Sequence, residues 1–312
     1  MNPYGRKRYL TLDAVLRREF GEKTVKIPLN AGFSCPNRDG KAGFSGCSYC
    51  SGALSGEFAG NPRESLSEQF EKTKALYLKK WGETKYIAYL QAGSNTYADV
   101  EMLRQVYDTA LSLSVVGLSI ATRADCLGDD VLELLSEINR KTYLTVELGL
   151  QSSSDKTAKR INRGHSYAEF LTGYNALKER NIRVCVHIIN GLIGETHEDM
   201  LKTARDVAGL EPYEIKIHLM HVIHGTPDER RFLSGELRTL SKEEYIGIVC
   251  DQLELLPPET AIGRLTGDGD KATLVAPLWS MDKRSVLGGI DHELRLRGSY
   301  QGRLFINDFQ QS

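Results

Sequence analysis

Three of the chain's six cysteines fall within sixteen residues, in the stretch Cys35-Pro-Asn-Arg-Asp-Gly-Lys-Ala-Gly-Phe-Ser-Gly-Cys47-Ser-Tyr-Cys50. The C-x2-C pair of Cys47 and Cys50 lets two thiolates converge on one centre, and Gly40, Gly43 and Gly46 let the chain fold Cys35 back as a third. Such a set reads as a metal-binding loop with one coordination position open. In a zinc site a distant ligand would have to close the tetrahedron. In a [4Fe–4S] cluster the open position leaves one iron free for a substrate or cosubstrate. Cys185 and Cys250 lie in an apolar strand and a helix, where thiols are inert core groups. Cys126 follows a strand end, where a thiol can donate a hydrogen atom or sit as an unreactive loop residue.

Composition narrows the setting of that loop. With 312 residues, 41% hydrophobic and 26% charged, the chain is long enough for a large α/β core and has the make-up of an ordinary globular protein. No apolar run reaches the ~18 residues of a membrane span, and the start Met1-Asn-Pro-Tyr-Gly-Arg-Lys-Arg lacks a signal-peptide apolar region. The expectation is a cytoplasmic protein with no membrane partner. Few, clustered cysteines point to metal or redox chemistry in a reducing compartment rather than to disulfides. Net charge is −1, but residues 1–26 carry seven basic residues (Arg6, Lys7, Arg8, Arg17, Arg18, Lys23, Lys26) against Asp13, Glu19 and Glu22, a local +4. Tyr4, Tyr9 and Phe20 interleave with them, which suits phosphates and stacked bases, or else a solvated first helix.

The elements that must position the cysteines follow from hydrophobic pattern. Lys23–Asn30 reads as a first strand that ends at the cysteine loop. A helix is expected from Pro62 to about Lys80. Apolar runs of strand length follow at 85–91, 115–121, 142–148, 183–189 and 214–220, separated by helical stretches at 98–112, 128–140, 155–180 and 196–209. Six strands alternating with helices specify a parallel sheet with right-handed crossovers, and the spacing favours a partial (β/α)6 barrel. Beyond it the rhythm weakens into a helix at 241–256, a short strand at 261–264 and a last helix within 281–298. The expected organisation is a basic arm over 1–22, the barrel core over 23–222 and a C-terminal α/β extension over 223–312.

The carboxyl ends of the strands carry Gln91-Ala-Gly93-Ser-Asn95, Thr122-Arg123-Ala-Asp125, Glu147 through Gln151, His187 through Gly191, and His218 through His221. These groups ring one mouth, facing the cysteine loop. Glu147 can serve as a ribose contact, a substrate-facing acid or the partner of a buried arginine such as Arg123. Either of His218 and His221 can face the site or pack. Gly191-Leu-Ile-Gly194 and Gly267-Asp-Gly269 lack the features of a phosphate loop.

A cysteine triad directly after the first strand of a (β/α)6 unit resembles the radical S-adenosylmethionine (SAM) superfamily. The common spacing there is C-x3-C-x2-C, whereas this chain has C-x11-C-x2-C, which is similar to a bacterial subgroup related to the Elongator catalytic subunit and to oxygen-independent coproporphyrinogen oxidase. The segments Thr122-Arg-Ala-Asp-Cys126, Glu147-Leu-Gly-Leu-Gln-Ser152, Ile161-Asn-Arg163-Gly-His165, Gly191-Leu-Ile-Gly-Glu-Thr196, Lys216-Ile-His-Leu219, Arg264-Leu-Thr-Gly267 and Pro277-Leu-Trp279 carry the likeness. The resemblance implies that Cys35, Cys47 and Cys50 hold a [4Fe–4S] cluster, with SAM chelated at the fourth iron. It places Gln91, Gly93 and Asn95 at the Gly-Gly-Glu position that binds SAM's amino group, here without an acidic residue. Gln151 and Arg163 match a Gln and an Arg that contact SAM. Glu147, His187 and Asn190 are added as cofactor contacts, with Cys126 as a catalytic candidate.

What this resemblance implies about activity is reductive cleavage of SAM to a 5′-deoxyadenosyl radical, supplied with electrons by a donor such as flavodoxin or ferredoxin. The subgroup has been connected with wobble uridine of tRNA, in the step from 5-carboxymethylaminomethyl to 5-aminomethyl. Two alternatives stand beside it: the same chemistry on a tetrapyrrole or other cofactor-like small molecule, and a zinc-stabilised RNA-binding protein without catalysis.

Overall fold

The computed structural model describes residues 3, 4, 7–267 and 269–306. Its core is a seven-stranded, all-parallel sheet in the order β1-β2-β3-β4-β5-β6-β8. These strands are β1 (Thr24–Leu29), β2 (Lys85–Leu90), β3 (Gly117–Thr122), β4 (Tyr143–Gln151), β5 (Arg183–Asn190), β6 (Glu214–Leu219) and β8 (Ala261–Arg264). A separate antiparallel pair joins β7 (Val222–Ile223) to β9 (Leu274–Ala276). The crossover helices are α2 (Leu66–Trp81), α3 (Val100–Ser112), α4 (Asp129–Lys141), α5 (Asp155–Arg160), α6 (Tyr167–Glu179) and α7 (His197–Ala208), and α1 (Leu12–Phe20) precedes the sheet. After β7 come α8 (Pro227–Leu233), α9 (Lys242–Leu255) and α10 (Lys283–Leu296).

The partial barrel expected from the apolar runs is present. Its strands are buried on both faces because helices cover the outside and side chains fill the inside, which is why they read as continuous Ile, Leu and Val runs. Ile27, Leu90, Leu118, Leu144, Val186 and Ile217 have no exposed surface. The sheet stays open between β1 and β8, and the β8 edge is covered by the chain ahead of α1. There the Ile262 amide donates to the Leu10 carbonyl at 2.7 Å, and Thr11 bridges Ile262.

Several boundaries differ from the sequence reading. The helix expected from Pro62 begins at Leu66, because Ser65 and Glu68 form a reciprocal capping box there. The stretch 155–180 is two helices rather than one. Asn162 and Gly164 take left-handed backbone (φ 52° and 79°), which no helix tolerates, and Ser166 caps the second helix afresh. The short strand at 261–264, assigned by sequence to the extension, is the seventh strand of the core sheet.

Several residues of the basic arm have partners elsewhere in the fold. Tyr4 donates its hydroxyl to the Pro258 and Gln301 carbonyls, and Tyr9 is buried. Lys7 pairs with Asp291 at 2.5 Å, the Arg8 guanidinium donates to the Ser299 carbonyl, and Arg17 and Lys23 share Asp13. Phe20 packs edge-on against Tyr143. Lys26 belongs to β1 and points into the barrel. Arg6 lies outside the described residues, as does Asp268 of the glycine-flanked turn. Tyr4, Lys7 and Arg8 thus fasten the early residues to late ones, Arg17 and Lys23 are paired locally, and Arg18 is exposed.

Candidate active site

The loop that follows β1 is folded by its own backbone and by three distant anchors. Within it, Arg38 N donates to Cys35 O (2.8 Å), Gly46 N to Asn37 O (2.7 Å) and Cys50 N to Cys47 O (3.0 Å). Gly40 has φ 96°, and a Cβ there would sit 2.5 Å from the Phe44 ring, so only glycine serves. The Arg38 guanidinium donates to the Cys50 and Ser51 carbonyls. Buried Asn37 donates its amide to Asn162 O at 2.6 Å, with the same nitrogen 3.7 Å from Cys47 Sγ. Ser48 donates from its amide to Ile161 O and from its hydroxyl to buried Asp228 on α8 at 2.9 Å.

These anchors bring Cys35, Cys47 and Cys50 to the wall of one cavity of about 310 Å³ at the carboxyl ends of the strands. Burial, then the neighbouring Cys50 sulfur, pushes the Cys47 thiol up to about 11, and burial raises Cys50 as well. Cys47 and Cys50 resist ionising one beside the other, so as thiolates they need a cationic centre, and a metal cluster held with Cys35 provides that. The residues fit such a group.

The loop after β2 presses on the cysteines from the side. Gly93 has φ 76°, and a Cβ there would stand 2.3 Å from the Phe33 carbonyl oxygen. Ser94 N donates to Ser34 O, and Gln91 Nε2 to Ser55 O at 2.9 Å. Gln91 and Gly93 line the cavity. Asn95 does not: its amide group donates to the Leu90 and Ala121 carbonyls and ties β2 to β3.

Opposite the cysteines, β4 ends in Gln151, whose φ of 66° and a register shift against β5 turn its side chain to the cavity. Arg163 enters from the break between α5 and α6. Its guanidinium donates to the Ser152 carbonyl (2.6 Å), the Leu150 carbonyl and the His165 carbonyl (3.1 Å). The remaining nitrogen, Nη2, is buried with no hydrogen bond among the described residues, and the Asp155 carboxylate stands 3.9 Å away. Arg163 also lines the cavity, and a guanidinium held in place by three carbonyls is a fixed cation suited to a carboxylate.

The cavity floor is polar. Glu147 accepts from Lys26 Nζ and Ser119 Oγ at Oε1 (both 2.7 Å), and from His187 Nε2 (2.7 Å) and Lys216 Nζ at Oε2. Burial alone would raise its carboxyl, but the Lys216 and Lys26 ammoniums hold it well below the carboxylate range. Its partners are lysines and not Arg123, which pairs with Asp125 (2.7 Å) and donates to the Arg163 carbonyl (2.6 Å). Burial holds His187 and His218 neutral, His218 with Arg264 and Lys216 nearby.

Of the residues singled out by sequence, the cavity gathers Cys35, Cys47, Cys50, Gln91, Gly93, Glu147, Gln151, Arg163 and His187. It does not gather Asn95, Cys126 or Asn190. Cys126 is buried, its thiol pushed up to about 12 by burial and the Asp125 charge. Asn190 exchanges amide hydrogen bonds with Gln252 at 2.8 Å and fastens β5 to α9. Sequence reasoning missed Lys26, Ser119, Tyr89 and Arg264 as interior groups. The signal was a polar residue set inside an otherwise apolar strand, as with Lys26 and Lys216.

A profile of the radical SAM superfamily matches residues 35–207, and one of a radical SAM C-terminal domain matches residues 212–295. The uncharacterized protein YtqA of Bacillus subtilis is 50% identical over 300 residues, covering 96% of this chain and 93% of that protein. A tRNA uridine(34) acetyltransferase of Methanocaldococcus jannaschii is 27% identical over 177 residues, 55% of this chain and 31% of that protein. Among solved structures, the archaeal Methanocaldococcus infernus Elp3 with an N-terminal deletion has a TM-score of 0.65 at 18% identity, covering 89% of this chain and 64% of that one, a likeness of fold. Among the described residues, no helix is long and apolar enough to cross a membrane.

Proposed function

The chain belongs to the radical SAM superfamily, an enzyme family that uses a [4Fe–4S] cluster, SAM and a reductant, and on that premise we propose that its substrate is wobble uridine of tRNA, converted from the 5-carboxymethylaminomethyl to the 5-aminomethyl form. The observation that carries the enzymatic reading is the convergence of three thiols and the fixed guanidinium of Arg163 on one cavity. When bound, cluster and SAM supply a 5′-deoxyadenosyl radical that takes hydrogen from substrate.

In this reading Cys35, Cys47 and Cys50 hold the cluster, and Arg163 with Gln151 takes the carboxylate of SAM's methionine part. Gln91 and the backbone around Gly93 face its amino group. Glu147 has both oxygens filled by protein donors, so its part is to orient Lys216 and His187. The methylene of the carboxymethyl group would give up the hydrogen atom; loss of one further electron to an acceptor would leave an iminium, and water would hydrolyse its C–N bond to release glyoxylate and the 5-aminomethyl amine. The tRNA reading is supported by the partial likeness to proteins named for uridine 34 of tRNA. A low-potential donor such as flavodoxin or ferredoxin completes the system.

Deleting the gene should make 5-carboxymethylaminomethyl nucleosides accumulate at the expense of 5-aminomethyl derivatives in digested tRNA, measured by mass spectrometry. An unchanged wobble profile sinks the tRNA reading. Anaerobic reconstitution should give a cluster whose paramagnetic resonance spectrum changes on adding SAM, and Cys47→Ala should abolish it.

A further inference from the structure

Eleven residues separate Cys35 from Cys47, and two polar side chains near the start of this loop turn back onto the other two cysteines. Asn37 has no exposed surface. Its amide nitrogen has two hydrogens and three acceptors in reach: Asn162 O at 2.6 Å, Arg163 O at 3.4 Å and Cys47 Sγ at 3.7 Å. The Asn162 carbonyl fixes which way the amide points, because the amide oxygen in that place would face another oxygen at 2.6 Å. One N–H goes to that carbonyl, and the second is left for the sulfur and the Arg163 carbonyl. The amide oxygen Oδ1 is buried with no hydrogen-bond partner among the described residues. An orphaned buried acceptor costs stability, so the fold keeps this side chain for what its nitrogen does.

Arg38 stands in the same relation to Cys50. Its guanidinium is locked by the Cys50 carbonyl at 2.9 Å and by the Ser51 carbonyl, and its charge is among the groups that favour a thiolate at Cys50. Two glycines of the loop make room for these side chains. A Cβ at Gly43 would stand 2.4 Å from Asn37 Oδ1, and one at Gly46 would stand 2.8 Å from Arg38 Nε. Further donors approach the same sulfurs: Ser55 Oγ lies 3.7 Å from Cys50 Sγ, and the Tyr49 hydroxyl engages Cys47. The acid that opposes them at Cys50, Glu57, is exposed and already accepts from the Ser51 hydroxyl. The remaining cation of the loop, Lys41, stands over the Tyr97 ring instead, 5.1 Å from its centroid.

We infer that Asn37 and Arg38 set the reduction potential of the cluster held by Cys35, Cys47 and Cys50, which gives the long spacing between the first two cysteines a function. The inference rests on the cluster reading of these cysteines, and not on the identity of the substrate. Hydrogen bonds and positive charge at ligating sulfurs stabilise the more negatively charged, reduced form and so raise the potential. One electron leaves the reduced flavodoxin- or ferredoxin-type donor, which is oxidised as the cluster is reduced, with no bond or proton exchanged. Asn37 and Arg38 make that uptake more favourable and leave correspondingly less driving force for the cleavage of SAM. Neither side chain lines the cavity, so both are positioning residues that act through the sulfurs of Cys47 and Cys50.

The test is an anaerobic redox titration of the reconstituted full-length protein without SAM, followed by the paramagnetic signal of the reduced cluster. At the potential that half-reduces the wild type, Asn37→Leu and Arg38→Met should each lower the ratio of reduced to oxidised cluster about tenfold, the size expected for one hydrogen bond to a charged group. That ratio is a midpoint about 59 mV more negative for one electron. Arg38→Lys keeps the charge and should recover much of the shift. Lys41→Met takes the same charge from the same loop, away from the sulfurs, and should move the midpoint far less. A purely structural role would lower iron per chain without moving the midpoint. Midpoints of Asn37→Leu and Arg38→Met that match Lys41→Met at full iron content overturn the inference and leave the cluster reading intact. A wild type that binds no [4Fe–4S] cluster overturns that reading and this inference together. Asn37 is buried, so where Asn37→Leu takes up no iron, Arg38→Met against Lys41→Met decides alone.

Discussion

Replacing Glu147 by Gln removes one charge from the middle of the barrel and leaves its shape unchanged. The carboxylate is fully buried and accepts from Lys26, Lys216, His187 and Ser119. Neutralising one partner of a buried ion pair typically costs about 3–5 kcal/mol, because the other charge is left uncompensated. Lys26 keeps Glu214 at 3.1 Å, whereas Lys216 loses the one carboxylate it bonds among the described residues, which sets the expectation near the lower end, about 3 kcal/mol. At about 2 °C per kcal/mol for a chain of this size, Tm should fall by roughly 5 °C. Because most of that cost is the orphaned Lys216 charge, Glu147→Gln/Lys216→Met should recover more than half of it. Anaerobic thermal and urea unfolding of the two variants measures both numbers. A loss below about 1 kcal/mol, or a double variant that loses the sum of the single effects, refutes the view that the floor is held by this carboxylate.

His165 is held neutral, its pKa lowered to about 4 by burial and by the Arg163 and Arg123 charges. Its folded value lies below the unfolded one, so its stabilisation is complete above about pH 6.5 and is lost as pH falls towards 4, about 3 kcal/mol in all. His165→Gln should flatten that part of a stability-against-pH curve. Gly93→Ala combines left-handed backbone (φ 76°) with a Cβ 2.3 Å from Phe33 O. It should cost at least about 1–2 kcal/mol and displace the cysteine loop, seen as lower iron per chain after reconstitution. Lys7→Ala and Arg17→Ala should leave the salt slope of RNA binding unchanged, because both cations are already paired, and lower urea midpoints slightly instead.

Much of this architecture was readable from pattern. Apolar runs of strand length separated by amphipathic stretches can only be a parallel sheet under helices, and the glycines between Cys35 and Cys47 announced a loop that folds back. What could not be read depends on residues far apart in the chain. Lys26 counts in the basic stretch and falls in the first strand alike, but its inward aim was not legible, because its carboxylates are 121 and 188 positions away. Asn95 and Asn190 stand at strand ends among site residues, but Asn95 gives its amide nitrogen to two carbonyls and Asn190 pairs with Gln252, which no local pattern displays. Arg163 was found by motif, while its orientation depends on a helix break for which Gly164 was the single local sign. Strand β8 is four residues long and follows a long connection, too little to separate it from an extension.

The fastening of the chain's first residues to its last has a consequence for how the molecule is made. The Tyr4 hydroxyl meets the Gln301 carbonyl across 297 positions, and Leu10 receives the edge of β8. A nascent chain cannot complete this closure until nearly all of it has emerged, and contacts at such separation form late and slowly. Until then β6 presents an unpaired edge, and the wall that carries Arg264 is missing. The fold should therefore accept its cofactors only once the segment from β8 to Gln301 has been made, and removing either the segment around Leu10 or the segment around Gln301 should give the same defect.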